Sequence, residues 1–189
     1  MQKIGKVKGF APKYDINDDH IVHSRSFDLK GNSNGVEFSV YDKEAESERK
    51  DAKGILRVEV RLAKPKAIGN YTDETVTSKR IESLASNSRE IFLSIFTYIV
   101  PFGNHYKKKQ AVQLIQENIH KKVPREKMIR LVELIPKKKS LYLAQKEMDD
   151  RNINKVMKMF VDLNLSPVTI SKRHDIKFLK TLYCYLLDD

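Results

Sequence analysis

Apolar residues recur along this chain with two different periods, and the change from one to the other divides it. In Val36-Glu37-Phe38-Ser39-Val40-Tyr41 apolar and polar side chains alternate, and the same period returns in Ile55-Leu56-Arg57-Val58-Glu59-Val60-Arg61-Leu62. Successive side chains of a strand point to opposite faces, so each run predicts a strand with one core face and one open face. Leu56, Val58, Val60 and Leu62 then face the core, and Arg57, Glu59 and Arg61 face the other way. The thirteen residues between the runs, Asp42 to Gly54, are strongly charged and predict an exposed helix ending at Gly54. Two strands that bury the same face of one sheet would bring Ser39, Tyr41, Arg57, Glu59 and Arg61 together on its polar face.

From about residue 75 the period lengthens. Ile81, Leu84, Ala85, Ser88, Ile91, Phe92, Ile95, Phe96 and Ile99 follow the three-four spacing of an amphipathic helix, which Pro101 and Gly103 end. Further helices are predicted near 109–120, 125–135 and 140–149, with Val112, Ile115, Ile119, Met128, Leu131, Val132 and Ile135 as core positions. Asn152 fits the N-cap of a helix carrying Ile153, Val156, Met157, Phe160 and Val161 on one face. A break at Asn164-Leu165 precedes Ser166-Pro167, a cap followed by proline at the first helical position. The second helix, about Pro167 to His174, would present Thr169, Lys172 and Arg173 outward. Such a pair is the helix-turn-helix pattern, which lays the start of its second helix in a DNA major groove; a plain helical hairpin with solvated basic residues has the same pattern. The expected fold is α+β, a short antiparallel sheet over about residues 20–65 followed by a mostly helical half ending in this pair. The expected domains are 1–70, β-rich, and 71–189, helical and DNA-binding.

Charge narrows the partner. The 189 residues include 36 Lys and Arg against 25 Asp and Glu, a formal charge of +11 and a pI near 9.6. A surplus of this size favours a polyanion, because each cation that neutralises a phosphate releases a condensed counterion. Lys107, Lys108 and Lys109, with the clusters at 121–122 and 137–139, are candidate phosphate anchors, although lysine at a helix end also complements the helix dipole. Cys184 is the one cysteine, so an intramolecular disulfide and a cysteine-rich zinc site are excluded. The most apolar run, Ile91 to Phe102, is too short to span a bilayer, and no secretory signal is read at the start; a cytoplasmic or nucleoid location is expected. His20 and His23, in Asp19-His20-Ile21-Val22-His23, are expected as loop histidines rather than metal ligands. No phosphate-cradling glycine loop, nucleophile elbow or His-Glu-x-x-His pair occurs.

The segment Asn34-Gly35-Val36-Glu37-Phe38-Ser39-Val40-Tyr41-Asp42-Lys43-Glu44, followed by Leu56-Arg57-Val58-Glu59-Val60-Arg61-Leu62, resembles rolling-circle replication initiators of the filamentous-phage gene-two/gene-X kind. Leu165-Ser166-Pro167-Val168-Thr169-Ile170 also resembles the gene-X portion of that family, so the resemblance covers most of the chain from about residue 34. It implies a phage or plasmid protein that nicks and rejoins one DNA strand at a replication origin through a tyrosine. Tyr41 is then the nucleophile, Lys43 a phosphate contact and Glu59 a metal ligand or active-site carboxylate, with Mg2+ or Mn2+ assisting. Arg57, Arg61, Lys107, Lys108, Lys109, Ser166, Thr169, Lys172 and Arg173 are the expected DNA contacts. Origin DNA and a host replication helicase are the implied partners. Only about forty residues precede Tyr41, and His20-Ile21-Val22-His23 does not match the family's paired metal histidines, so the chain resembles the C-terminal half of such a protein. Two functions stay open: nicking enzyme, or non-catalytic helix-turn-helix repressor or replication accessory protein.

Overall fold

The computed structural model of the chain describes residues 4–12 and 26–187; His20 and His23 lie outside the described residues. The fold is α+β, and the chain forms two compact units, Lys6–Ile99 and Gln2–Gly5 with Val100–Asp189. The boundary falls at Ile99–Val100, some thirty residues beyond the expected one at 70–71.

The first unit is built on an antiparallel sheet of four strands in chain order: β1 (Phe10–Pro12), β2 (Ser26–Gly31), β3 (Val36–Asp42) and β4 (Leu56–Leu62). The two alternating runs are β3 and β4, paired from Val36↔Leu62 through Ser39↔Glu59 to Asp42↔Leu56. Gly35 closes the β2–β3 turn at φ +72°, a conformation that suits glycine, and Asn34 Oδ1 accepts from Val36 N at 3.1 Å. Between β3 and β4 the expected exposed helix is shorter than its charge pattern suggests. It comprises α1 (Lys43–Ser47) and a single 3₁₀ turn at Lys50–Ala52. Asp42 caps α1 by accepting from Glu44 N and Ala45 N, and Glu48 ends it in the left-handed region.

The remaining elements of this unit are α2 (Pro65–Gly69), α3 (Thr77–Ser86) and α4 (Ser88–Ile99). The apolar stripe predicted as one helix from Ile81 to Ile99 is thus two. They part at Asn87, whose backbone N–H and side-chain Nδ2 both return to Ser83 O. Only α4 carries core positions, Ile91, Ile95, Phe96 and Ile99, whereas Ile81 on α3 is exposed. Phe96 meets Phe38 at 6.2 Å between ring centroids, and Phe38 meets Phe27 at 6.4 Å. Phe27, Leu29, Val36, Phe38 and Val40 therefore form the buried face of the sheet. Their alternates form its polar face; on β4, Val58, Val60 and Leu62 are only half-buried, and Leu56, expected to face the core, is exposed at the strand's end.

The second unit holds β5 (His105–Tyr106), α5 (Lys108–Asn118), α6 (Lys122–Lys138), α7 (Leu141–Met148), α8 (Ile153–Asp162), β6 (Phe178–Leu179) and α9 (Cys184–Leu187). Of the core positions predicted for α5 and α6, Ile115, Met128, Leu131, Val132 and Ile135 are buried while Val112 and Ile119 are half-buried, and Ala111, not among them, is buried as well. Pro124 lies in the first turn of α6, where its missing N–H has no intrahelical partner to lose, so the helix starts earlier than predicted. Ser140 caps α7 by accepting from Leu143 N at 3.2 Å.

The helix-turn-helix is not formed. The first helix exists as α8, but the stretch predicted as its second helix, 167–174, contains no helix. Leu165 and Ile170 instead make parallel bridges to Asn104 and Lys107. Ser166 N donates to Asn104 O at 2.8 Å and Ile170 N to Tyr106 O at 2.9 Å. The Ser166 hydroxyl accepts from Val168 N at 3.3 Å, a local turn that competes with helix initiation. Ser166 and Thr169, expected on a DNA-facing surface, are 0% and 4% exposed. The Ser-Pro start signal is overridden because this segment buries Leu165 and Val168 and spends its backbone on the 104–107 strand. No helix among the described residues is long and apolar enough to cross a membrane.

Candidate active site

The polar face of the sheet is a grid set by strand register. Tyr41 stands between Ser26 and Arg57, Ser39 between Asp28 and Glu59, and Glu37 between Lys30 and Arg61. Sequence reasoning assigned the β3 and β4 columns and missed the β2 column. The signal for β2 was the same alternation, Ser26-Phe27-Asp28-Leu29-Lys30, in a shorter run.

Tyr41, Glu59, Arg57 and Arg61 come together at the centre of this face. Tyr41 Oη donates to Glu59 Oε1 at 2.7 Å. Arg57 Nη1 lies 3.5 Å from the same oxygen, and Arg61 Nη2 lies 3.5 Å from Glu59 Oε2. Arg61 also reaches Glu37, Nη1 to Oε2, at 3.8 Å. Lys43, the first residue of α1, places Nζ 5.8 Å from the centre of the Tyr41 ring and pairs with Glu46 at 2.5 Å. Partial burial raises the Tyr41 phenol above its ordinary value, and the hydrogen bond to the Glu59 carboxylate raises it further, while Arg57 and Lys43 oppose. The tyrosine is therefore a neutral donor at physiological pH, and Glu59 is its hydrogen-bond acceptor. A hydroxyl within hydrogen-bond reach of a base that is itself oriented by neighbouring groups is the geometry nucleophilic catalysis needs. The same contacts also hold β3 to β4 as cross-strand pairs.

The proposed metal role of Glu59 finds no further ligands here. Among the described residues no three His, Cys, Asp or Glu side chains are grouped to hold a metal ion. Glu59 Oε1 is taken by Tyr41 and Arg57, and Oε2 faces Arg61.

The other predicted contacts lie in the second unit. Lys107 immediately precedes α5, and Lys108 and Lys109 open it; Lys108 is paired with Glu133 at 3.0 Å. Lys172 and Arg173 are exposed on the turn after the buried Ser166–Thr169 stretch. His105, on β5, is half-buried and its Nδ1 stands 2.8 Å from Val168 O; burial holds its pKa below the ordinary value, against that hydrogen bond. The excess charge sits almost wholly in this unit. Residues 2–5 and 100–189 carry 20 Lys and Arg against 10 Asp and Glu, whereas residues 6–99 carry 16 against 15. Comparison with protein-family models, with curated proteins and with solved structures finds no match to the chain.

Proposed function

We propose that this chain binds DNA and that its Tyr41–Glu59 site nicks and rejoins one strand, as initiation of rolling-circle replication in a phage or plasmid requires. The observation that carries the reading is the 2.7 Å hydrogen bond from Tyr41 Oη to Glu59, flanked by two guanidinium groups on an open sheet face. In the step that this arrangement supports, Tyr41 Oη attacks the phosphorus as its proton passes to Glu59. The bond to the 3′ oxygen breaks, and that oxygen takes up a proton from the Glu59 carboxyl or from solvent. The product is a 5′-phosphotyrosyl linkage, a phosphodiester that keeps the bond energy for rejoining. Arg57 and Arg61 are placed to offset charge gathering on the phosphoryl oxygens. Lys43 is close enough to the ring to contact an adjacent phosphate. Origin DNA and a host replication helicase are the partners this role implies, and the basic second unit supports a polyanionic one.

Nicking of single-stranded DNA by the purified chain tests the proposal, with magnesium, manganese or a chelator as parallel conditions. Wild type should cleave in at least one condition, Tyr41→Phe in none. Glu59→Gln should slow cleavage by roughly 10²–10⁴, the usual worth of a positioned general base. Cleavage by Tyr41→Phe equal to wild type, or none by wild type in any condition, would overturn the assignment.

A further inference from the structure

The helix pair predicted to hold DNA is replaced by a surface of a different kind. Every residue from Lys172 to Lys180 is exposed. This stretch interleaves Lys172, Arg173, Lys177 and Lys180 with Ile176, Phe178 and Leu179, against one acid, Asp175. The three apolar side chains are 50%, 41% and 45% exposed. The stretch is anchored where β6 pairs with β5, Tyr106 opposite Phe178 and His105 opposite Leu179. The Tyr106 and Phe178 rings meet at 5.1 Å with a 51° tilt, which steadies an aromatic side chain that remains open to solvent. Beside Tyr106 is a cleft of about 300 Å³ lined by Asn104, Leu114, Asn118, Leu163 and Asn164. Asn104 is oriented there by accepting from Thr181 N at 2.9 Å.

We propose that Lys172–Lys180 together with Tyr106 is a platform for single-stranded DNA, in which Phe178 stacks on a base and Lys172, Arg173, Lys177 and Lys180 follow the phosphates. Two features argue for a single strand, and a third for a polyanion. Exposed apolar side chains between cations match a ligand that offers base faces as well as phosphates. The segment contains no helix that could enter a major groove. Its own unit holds nearly all the excess positive charge of the chain, 20 basic against 10 acidic residues. The amide-lined cleft next to the aromatic pair is suited to the hydrogen-bonding edge of an unstacked base. A duplex keeps its base faces covered and would use the cations alone. This inference is independent of the Tyr41 chemistry, because it places binding in the other unit.

Fluorescence anisotropy with labelled oligo(dT), a duplex of equal length and phosphatidylserine vesicles as probes tests it on the full chain. Wild type should prefer oligo(dT) to the duplex at the same salt. Phe178→Ala should weaken oligo(dT) binding about tenfold, within the range for one stacked base, and Phe178→Tyr should restore it. The double change Lys172→Ala with Arg173→Ala should lower the slope of log affinity against log salt by about 1.4, two phosphate contacts on a single strand. Nicking by the same wild-type chain is read separately, and oligo(dT) binding without cleavage leaves the platform standing, so a failed nicking assay and a failed binding assay are told apart. Circular dichroism of Phe178→Ala separates lost stacking from lost folding; if that variant unfolds, Phe178→Tyr and the salt slope decide. Equal affinity for duplex, undiminished binding by a folded Phe178→Ala, an unchanged salt slope, or binding confined to vesicles would overturn the platform.

Discussion

Removing the Tyr41 hydroxyl and the Glu59 carboxylate, singly and together, measures the interaction on which the candidate site rests. The bond is short, 2.7 Å, and its acceptor is charged, which in a protected setting is worth about 1.5–3 kcal/mol. The Glu59 side chain is 30% exposed and also faces two guanidinium groups, so the lower figure must be discounted further. A coupling energy of about 1 kcal/mol between Tyr41→Phe and Glu59→Gln is expected. Native-state amide exchange in β3 and β4 reports it locally, and 1 kcal/mol corresponds to a factor of about five in exchange rate. Additivity within about 0.3 kcal/mol would mean that the two side chains do not interact, and the reasoning would fail. The phenol itself gives a second reading through NMR of labelled tyrosine. Tyr41 should titrate above 10 in the wild type and move toward 10 in Glu59→Gln, because the carboxylate that opposes ionisation is gone. Titration of the wild-type phenol below 10 would contradict the assigned bond.

Three further perturbations check the fold around the sites. Gly103 has φ +110°, and a Cβ there would lie 2.4 Å from Leu165 C and 2.6 Å from Ser166 N, so Gly103→Ala should cost the second unit about 3 kcal/mol or more. Gly54→Ala, at φ +77° in open space, should cost only about 1 kcal/mol; equal losses by thermal melting would refute the close approach of 103 to 165–166. Phe38, fully buried between Phe27 and Phe96, should cost about 3–5 kcal/mol when replaced by alanine, read from protection of sheet amides. His105 is held neutral in the fold, below its ordinary 6.5. The unfolded chain therefore takes up a proton first, and this contribution to stability is present above about 6.5 and lost as pH falls through the folded value. Melting of the second unit should decline with acid more steeply in wild type than in His105→Gln, and parallel profiles would dismiss the effect.

What could be read from the sequence follows where local pattern and tertiary demand agree. β3 and β4 were legible because alternation leaves one face to bury, and a slip of one residue would have turned Phe38 outward and Tyr41 inward. That alone placed Tyr41, Arg57, Glu59 and Arg61 on one face; the direct Tyr41–Glu59 bond lies on a diagonal between facing pairs, which no spacing rule reveals. The stripes of α5 and α6 were legible for the same reason, with buried Ile115, Met128 and Leu131 at helical spacing. The 165–170 segment was misread because Ser-Pro is a local signal. Its backbone donors find partners in residues 104–106, some sixty positions away, where no nearby residue hints at them. The surface at Lys172–Lys180 was seen only as two cations, since Phe178 gains its meaning from Tyr106 on another strand.

The most direct test of the central claim is mass spectrometry of the chain after incubation with single-stranded DNA and nuclease trimming. Trypsin releases residues 31–43, a peptide in which Tyr41 is the one tyrosine. A nucleotide-phosphate adduct on that peptide, absent from Tyr41→Phe, is the predicted result. Strand cleavage with this peptide unmodified, or with the adduct on another tyrosine, would contradict the role assigned to Tyr41.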